Sequence, residues 1–185
     1  TTTTLNTETP VEGTTLICTA TNSAGLSNSA SVTVKIDITP STLTLPSDIS
    51  QEAAGPGGTA VSYTATASDS LSGPDTITCT PPSGSTFPIA TTTVSCSATD
   101  KAGNTGSSSF SVIVQDKTAP VVTVPADMTV DATGPSGAVV TFSASASDLV
   151  DGSVPVTCSP ASGFTFPVGT TEVSCSATDK AGNSA

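Results

Sequence analysis

Cys96-Ser-Ala-Thr-Asp-Lys-Ala-Gly-Asn104 recurs 79 positions later as Cys175-Ser-Ala-Thr-Asp-Lys-Ala-Gly-Asn183. A decayed copy, Cys18-Thr-Ala-Thr-Asn-Ser-Ala-Gly25, stands 78 positions before the first. Cys79 and Cys158 keep the larger offset, as do Asp37 and Asp116. Self-similarity at a fixed period marks a tandem array. The two aspartates divide the chain into the C-terminal part of one repeat (1–37), a complete repeat (38–116) and a third (117–185). A unit of this length suffices for one small sandwich with a modest core and is too short for a parallel α/β enzyme domain.

Composition points the same way. The 185 residues hold 36 Thr and 29 Ser, with one Tyr and no Trp, His or Arg. Thr and Val restrict χ1 through their β-branches and suit pleated, half-buried strands. The good helix formers Leu, Glu, Lys and Arg are scarce, so the expected class is all-β. Fifteen acids against four lysines give a net charge of −11, which disfavours a nucleic-acid partner because phosphate binding needs clustered Lys or Arg. No apolar run reaches the length of a membrane-spanning helix, roughly 18 residues or more.

Repeat three shows the grammar of each unit. Pro120–Val124 reads as a strand opened by a proline, an edge or first position, and Met128–Ala132 as a second, alternating strand. The turn Gly134–Gly137 leads into Ala138–Ala146, whose period of two puts Val140, Phe142, Ala144 and Ala146 on one face. Asp148–Gly152 is another turn. Val154–Cys158, Phe164–Gly169 and Thr171–Thr178 follow as short strands, the last with Thr171, Val173, Cys175 and Ala177 inward. Asp179–Asn183 is a hairpin turn. In repeat two that turn runs into a closing strand, Ser109–Val114, which has no counterpart after Ala185, so 117–185 is expected to lack its last strand. Seven short strands with a turn every 8–12 residues or so is the immunoglobulin-like pattern.

The string from Cys79 to Asn104, with Thr118–Val130 and Asp148–Gly152, resembles the HYR (hyalin repeat) module. The resemblance covers both later repeats and the tail of one in 1–37. It implies tandem immunoglobulin-like β-sandwich domains arranged end to end, extracellular or at a cell surface, serving adhesion or structure rather than catalysis.

In such a sandwich Cys79 and Cys96, and Cys158 and Cys175, fall on neighbouring strands. One even pair per repeat, without CxxC spacing or His, reads as a disulfide rather than a zinc site. Cys18 is the odd one, either unpaired or bridged to a cysteine beyond this sequence. The aspartates allow two readings. In turns, Asp commonly accepts its own backbone N–H groups; alternatively, Asp37, Asp116, Asp148 and Asp151 are calcium candidates, since Ca2+ takes six to eight oxygen ligands or so. No cofactor other than calcium is suggested. No GxSxG elbow, HExxH motif or P-loop occurs, and no histidine is available for a triad, so an enzyme is not expected.

The functional expectation is an extracellular structural or adhesive repeat protein that forms a rod, stalk or filament, its partners being neighbouring repeats or copies of itself. The alternatives are a module that grips a surface protein or glycan, and a non-catalytic spacer of a larger secreted enzyme.

Overall fold

The computed structural model describes Thr9, residues 13–72 and residues 76–185. The Thr1–Thr4 run and residues 73–75 lie outside them. The described chain is all-β, as the Thr- and Val-rich composition requires, and no helix among the described residues is long and apolar enough to cross a membrane.

Among the described residues, seventeen strands follow the order of the chain. The first repeat contributes β1 (Thr14–Thr21) and β2 (Ser27–Val34). Repeat two has β3 (Thr42–Thr44), β4 (Ile49–Glu52), β5 (Thr59–Ala60), β6 (Thr66–Ser68), β7 (Thr76–Thr80), β8 (Thr86–Phe87), β9 (Thr91–Thr99) and β10 (Thr105–Gln115). Repeat three has β11 (Val121–Thr123), β12 (Ala138–Val139), β13 (Ser145–Asp148), β14 (Gly152–Val154), β15 (Val156–Ser159), β16 (Thr165–Phe166) and β17 (Ser174–Ala177).

The chain forms two compact units: 1–49, 62–85 and 93–111 in one, 50–61, 86–92 and 112–185 in the other. In the first unit, β1 and β2 make an antiparallel hairpin in which Cys18 lies opposite Ala30. β3 pairs with β6 and β7 with β9, the latter placing Cys79 directly across from Cys96. Val94, Cys96 and Ala98 are buried along β9 while the residues between them are exposed, the period-two signature of a strand with one face inward. Tyr63 packs edge-on against buried Phe110, ring centroids 5.0 Å apart.

In the second unit, β5 pairs with β8, β12 with β16, and β15 with β17. β11, β13 and β14 form a three-stranded sheet. Its core gathers Ala146, Val154 and Ala177, with Val122 and Val156 packed against them. The pairings of repeat three reproduce those of repeat two at the same offset as the cysteines: β11·β13 matches β3·β6, β12·β16 matches β5·β8, and β15·β17 matches β7·β9.

Several expected strands differ in the structure. Ala138–Ala146 keeps its alternation, with Val140, Phe142 and Ala144 half-buried and Ala146 buried, but it is laddered only at its ends, as β12 and β13. Between them the Phe142 backbone bonds a serine side chain, so no ladder continues. Met128–Ala132 forms no strand, and Met128 and Val130 are exposed. The matching residues of repeat two are β4, beyond which Ala53 donates to the Gln115 carbonyl at 2.9 Å. The residue that would match Gln115 in repeat three is not in the sequence. Thr171 is also exposed, and β17 starts only at Ser174.

Gly58 and Gly137 are the most tightly confined glycines among the described residues. Gly58 (φ +95°) and Gly137 (φ +99°) close equivalent turns, and a Cβ on either would lie 1.8 Å from the carbonyl oxygen of Phe87 or Phe166. Glycine alone tolerates both the positive φ and the approach.

Candidate functional site

Each later repeat brings three aspartates together from three places in its chain. Asp100 opens the β9–β10 turn, where Asn104 closes a set of bonds. The Asp100 N–H donates to the Asn104 carbonyl at 3.0 Å, and the Asn104 N–H and Nδ2 return bonds to the two Asp100 carboxylate oxygens at 2.8 and 2.9 Å. Nδ2 also donates to the Asp37 carbonyl at 3.2 Å, fastening the turn to the residue that begins the repeat. Asp179, Asn183 and Asp116 repeat this arrangement, with Asn183 Nδ2 2.7 Å from Asp179 Oδ2 and 3.2 Å from the Asp116 carbonyl. In the decayed copy Asn22 stands where Asp100 does, and its Oδ1 accepts the Ala24 and Leu26 N–H groups. That turn carries no carboxylate.

The third aspartate comes from the turn after β6 or at the end of β13. Asp69 Oδ1 accepts the Leu71 and Ser72 N–H groups at 2.7 and 2.8 Å and the Ser72 hydroxyl at 2.9 Å. Asp148 Oδ1 accepts the Val150 and Asp151 N–H groups at 2.7 and 2.9 Å. At the repeat starts, Asp37 Oδ1 and Asp116 Oδ1 accept the Thr39 and Thr118 N–H groups.

The result is two matched clusters, Asp37–Asp69–Asp100 in the first unit and Asp116–Asp148–Asp179 in the second. In each, one carboxylate oxygen from every member lies within 4.8 Å of the other two. Asp100, Asp148 and Asp179 are 5, 8 and 7 % exposed. Among the described residues, none of the six forms an ion pair with a lysine. Buried Oδ2 atoms of Asp37 and Asp148 have no hydrogen-bond partner among the described residues.

The electrostatics record this crowding. Burial pushes the Asp116 carboxyl above its usual range; the Thr118 N–H opposes the shift, while the charges of Asp148, Asp179 and Glu52 add to it. Burial also raises Asp179, but hydrogen bonds from Asn183, Gly182 and Ala181 outweigh that and hold it low. The Ser72 and Leu71 N–H groups hold Asp69 low.

Of the calcium candidates read from the sequence, Asp37, Asp116 and Asp148 enter clusters, and Asp151 does not. Its carboxylate takes the Lys180 ammonium at 3.1 Å and the Lys180 N–H at 2.7 Å. Asp69, Asp100 and Asp179 are cluster members outside that candidate set. The period that fixes the repeats is the signal that finds them, because 37/116, 69/148 and 100/179 all share the offset of 79.

The cysteines are arranged as their spacing suggests. Cys79–Cys96 and Cys158–Cys175 are disulfides, with Cα atoms 4.1 and 4.0 Å apart across paired strands. Cys18 is free and exposed on β1.

Similarity to known proteins agrees with this architecture. The HYR domain family model matches residues 36–114 and 115–185. Hyalin from Strongylocentrotus purpuratus is 36% identical over 157 residues, which is 81% of this chain and 13% of hyalin. The chain therefore spans a small fraction of that relative's length. A structure of the protocadherin gamma B2 extracellular cadherin domains 3–6 shows a loose likeness, with a TM-score of 0.35 and 16% identity over 78% of this chain and 44% of that one. On the two matched repeats, the chain belongs to the HYR domain family.

Proposed function

We propose that the chain is a segment of an extracellular structural or adhesive repeat protein, one that builds a rod, stalk or filament at a cell surface. The observation that carries this reading is the duplication of four stabilising devices at one offset: disulfide, aspartate cluster, asparagine-locked turn and required glycine each recur 79 positions apart. A chain that repeats these fasteners while the residues between them vary suits a role in which each unit bears the same load. Disulfides support an oxidising compartment, and similarity to hyalin supports a surface setting. Neighbouring repeats or other copies of the chain are the partners this reading implies.

Labelling intact, unpermeabilised cells of the source with an antibody to residues 38–185 tests it. Surface label is expected, and label that appears only after permeabilisation would refute the extracellular role.

A further inference from the structure

We propose that each aspartate cluster, Asp37–Asp69–Asp100 and Asp116–Asp148–Asp179, is a Ca2+ site that ties the start of its repeat to two of its turns. Three observations carry it.

The first is geometric. Two oxygens bound to one Ca2+ at about 2.4 Å lie no more than about 4.8 Å apart, and 4.8 Å is the bound within which the three ligand oxygens of each cluster sit. Three carboxylate oxygens within that bound can share one Ca2+ with at most a small inward adjustment of their side chains. Three protein carboxylates suit Ca2+ better than Mg2+, which keeps several waters and is usually held by one or two carboxylates.

The second is the unpartnered oxygen. Asp148 is 8 % exposed; its Oδ1 is taken by two backbone N–H groups, yet its buried Oδ2 has no donor among the described residues. Asp37 Oδ2 is orphaned likewise in the other cluster. A buried carboxylate oxygen without a partner is costly, and a cation removes that cost where no lysine does.

The third is the division of labour within the carboxylates of Asp37, Asp69, Asp116 and Asp148. At the turns and repeat starts the Oδ1 atoms accept the local N–H groups, which accounts for aspartate in a turn. Those bonds do not account for three carboxylates converging, twice, at the same offset. The decayed turn, with Asn22 in place of an aspartate, has lost the cluster's third acid. Coordination would be completed by water, with Ca2+ neutralising two of the three charges. Ca2+ binding here requires only this fold, and not a surface role for the array.

The test is calorimetric titration of the chelator-treated full chain with CaCl2, with thermal unfolding measured alongside. Two Ca2+ per chain are expected, with a rise in unfolding midpoint that EDTA reverses. Asp148→Asn is expected to bind one, whereas Asp151→Asn, outside the cluster, keeps two. Should Asp148→Asn fail to fold, Asp69→Asn makes the same comparison in the other repeat. Fewer than two Ca2+ per wild-type chain at about 10 mM, above the roughly millimolar affinity of weak extracellular modules, would overturn the proposal. So would two ions retained by Asp148→Asn or lost from Asp151→Asn.

Discussion

Ser162 Oγ accepts the Phe142 N–H at 2.8 Å and donates to the Phe142 carbonyl at 2.7 Å, so one side chain satisfies both backbone groups of a residue on an interrupted strand. Ser83 does the same for Tyr63, 79 positions earlier, at 2.8 and 2.7 Å. The hydroxyl takes the role that an opposing strand has in a ladder. Because the pair is exposed, water replaces part of what is lost on truncation. Ser162→Ala and Ser83→Ala are each expected to lower the unfolding free energy by about 1 kcal/mol, read from urea denaturation. No change in either variant would show that the bond pair is incidental.

Gly137→Ala and Gly58→Ala should be far more damaging. Each forces a side chain into a positive φ and places its Cβ 1.8 Å from a backbone carbonyl oxygen, which cannot move without breaking the β12·β16 or β5·β8 pairing. A loss of about 2–4 kcal/mol is expected. Gly163→Ala shares the positive φ but meets nothing within 4 Å, so it should cost less. The difference between Gly137→Ala and Gly163→Ala in denaturation isolates the steric part.

Replacing both Cys158 and Cys175 with alanine should remove about 3 kcal/mol, the chain-entropy value for a loop of this size. Cys18→Ser, at an exposed free thiol, should leave stability unchanged within about 0.5 kcal/mol. Thiol counting by mass spectrometry on unreduced native protein should find one free cysteine.

Glu52 gives a pH dependence of known sign. The Lys117 N–H bond holds its carboxyl below the ordinary 4.5; burial opposes this, and the Thr118 hydroxyl and N–H add to it. A depressed folded-state value contributes stability that is present above 4.5 and lost as pH falls through the lower folded value. Glu52→Gln should therefore flatten the acid limb of the stability–pH curve below 4.5 and leave the curve's shape above it unaltered. An unchanged acid limb would remove Glu52 from the account.

The period and the strand alternation make the all-β repeats and the cysteine pairs legible, because both are local patterns that one line of text displays. Val94, Cys96 and Ala98 alternate in the sequence as they do in burial. The aspartate clusters are half legible. Asp37 and Asp148 stand 111 positions apart in different repeats and are not cluster mates, and each meets its own mates only once the strands close. The doubly bonded serines are barely legible: four serine pairs of repeats two and three share the offset of 79 (68/147, 83/162, 95/174 and 97/176), and nothing in sequence marks Ser83 and Ser162 among them. Asp151 misleads because it shares a turn with Asp148, yet Asp148 is buried while Asp151 meets the Lys180 ammonium.

Electron microscopy of the native material tests the structural role most directly. Strand β10, at 11 residues, spans about 37 Å, so a load-bearing array should appear as regular threads with an axial repeat near about 35–40 Å. Dispersed single particles with no periodic assembly, in native preparations never exposed to chelator or reductant, would contradict it.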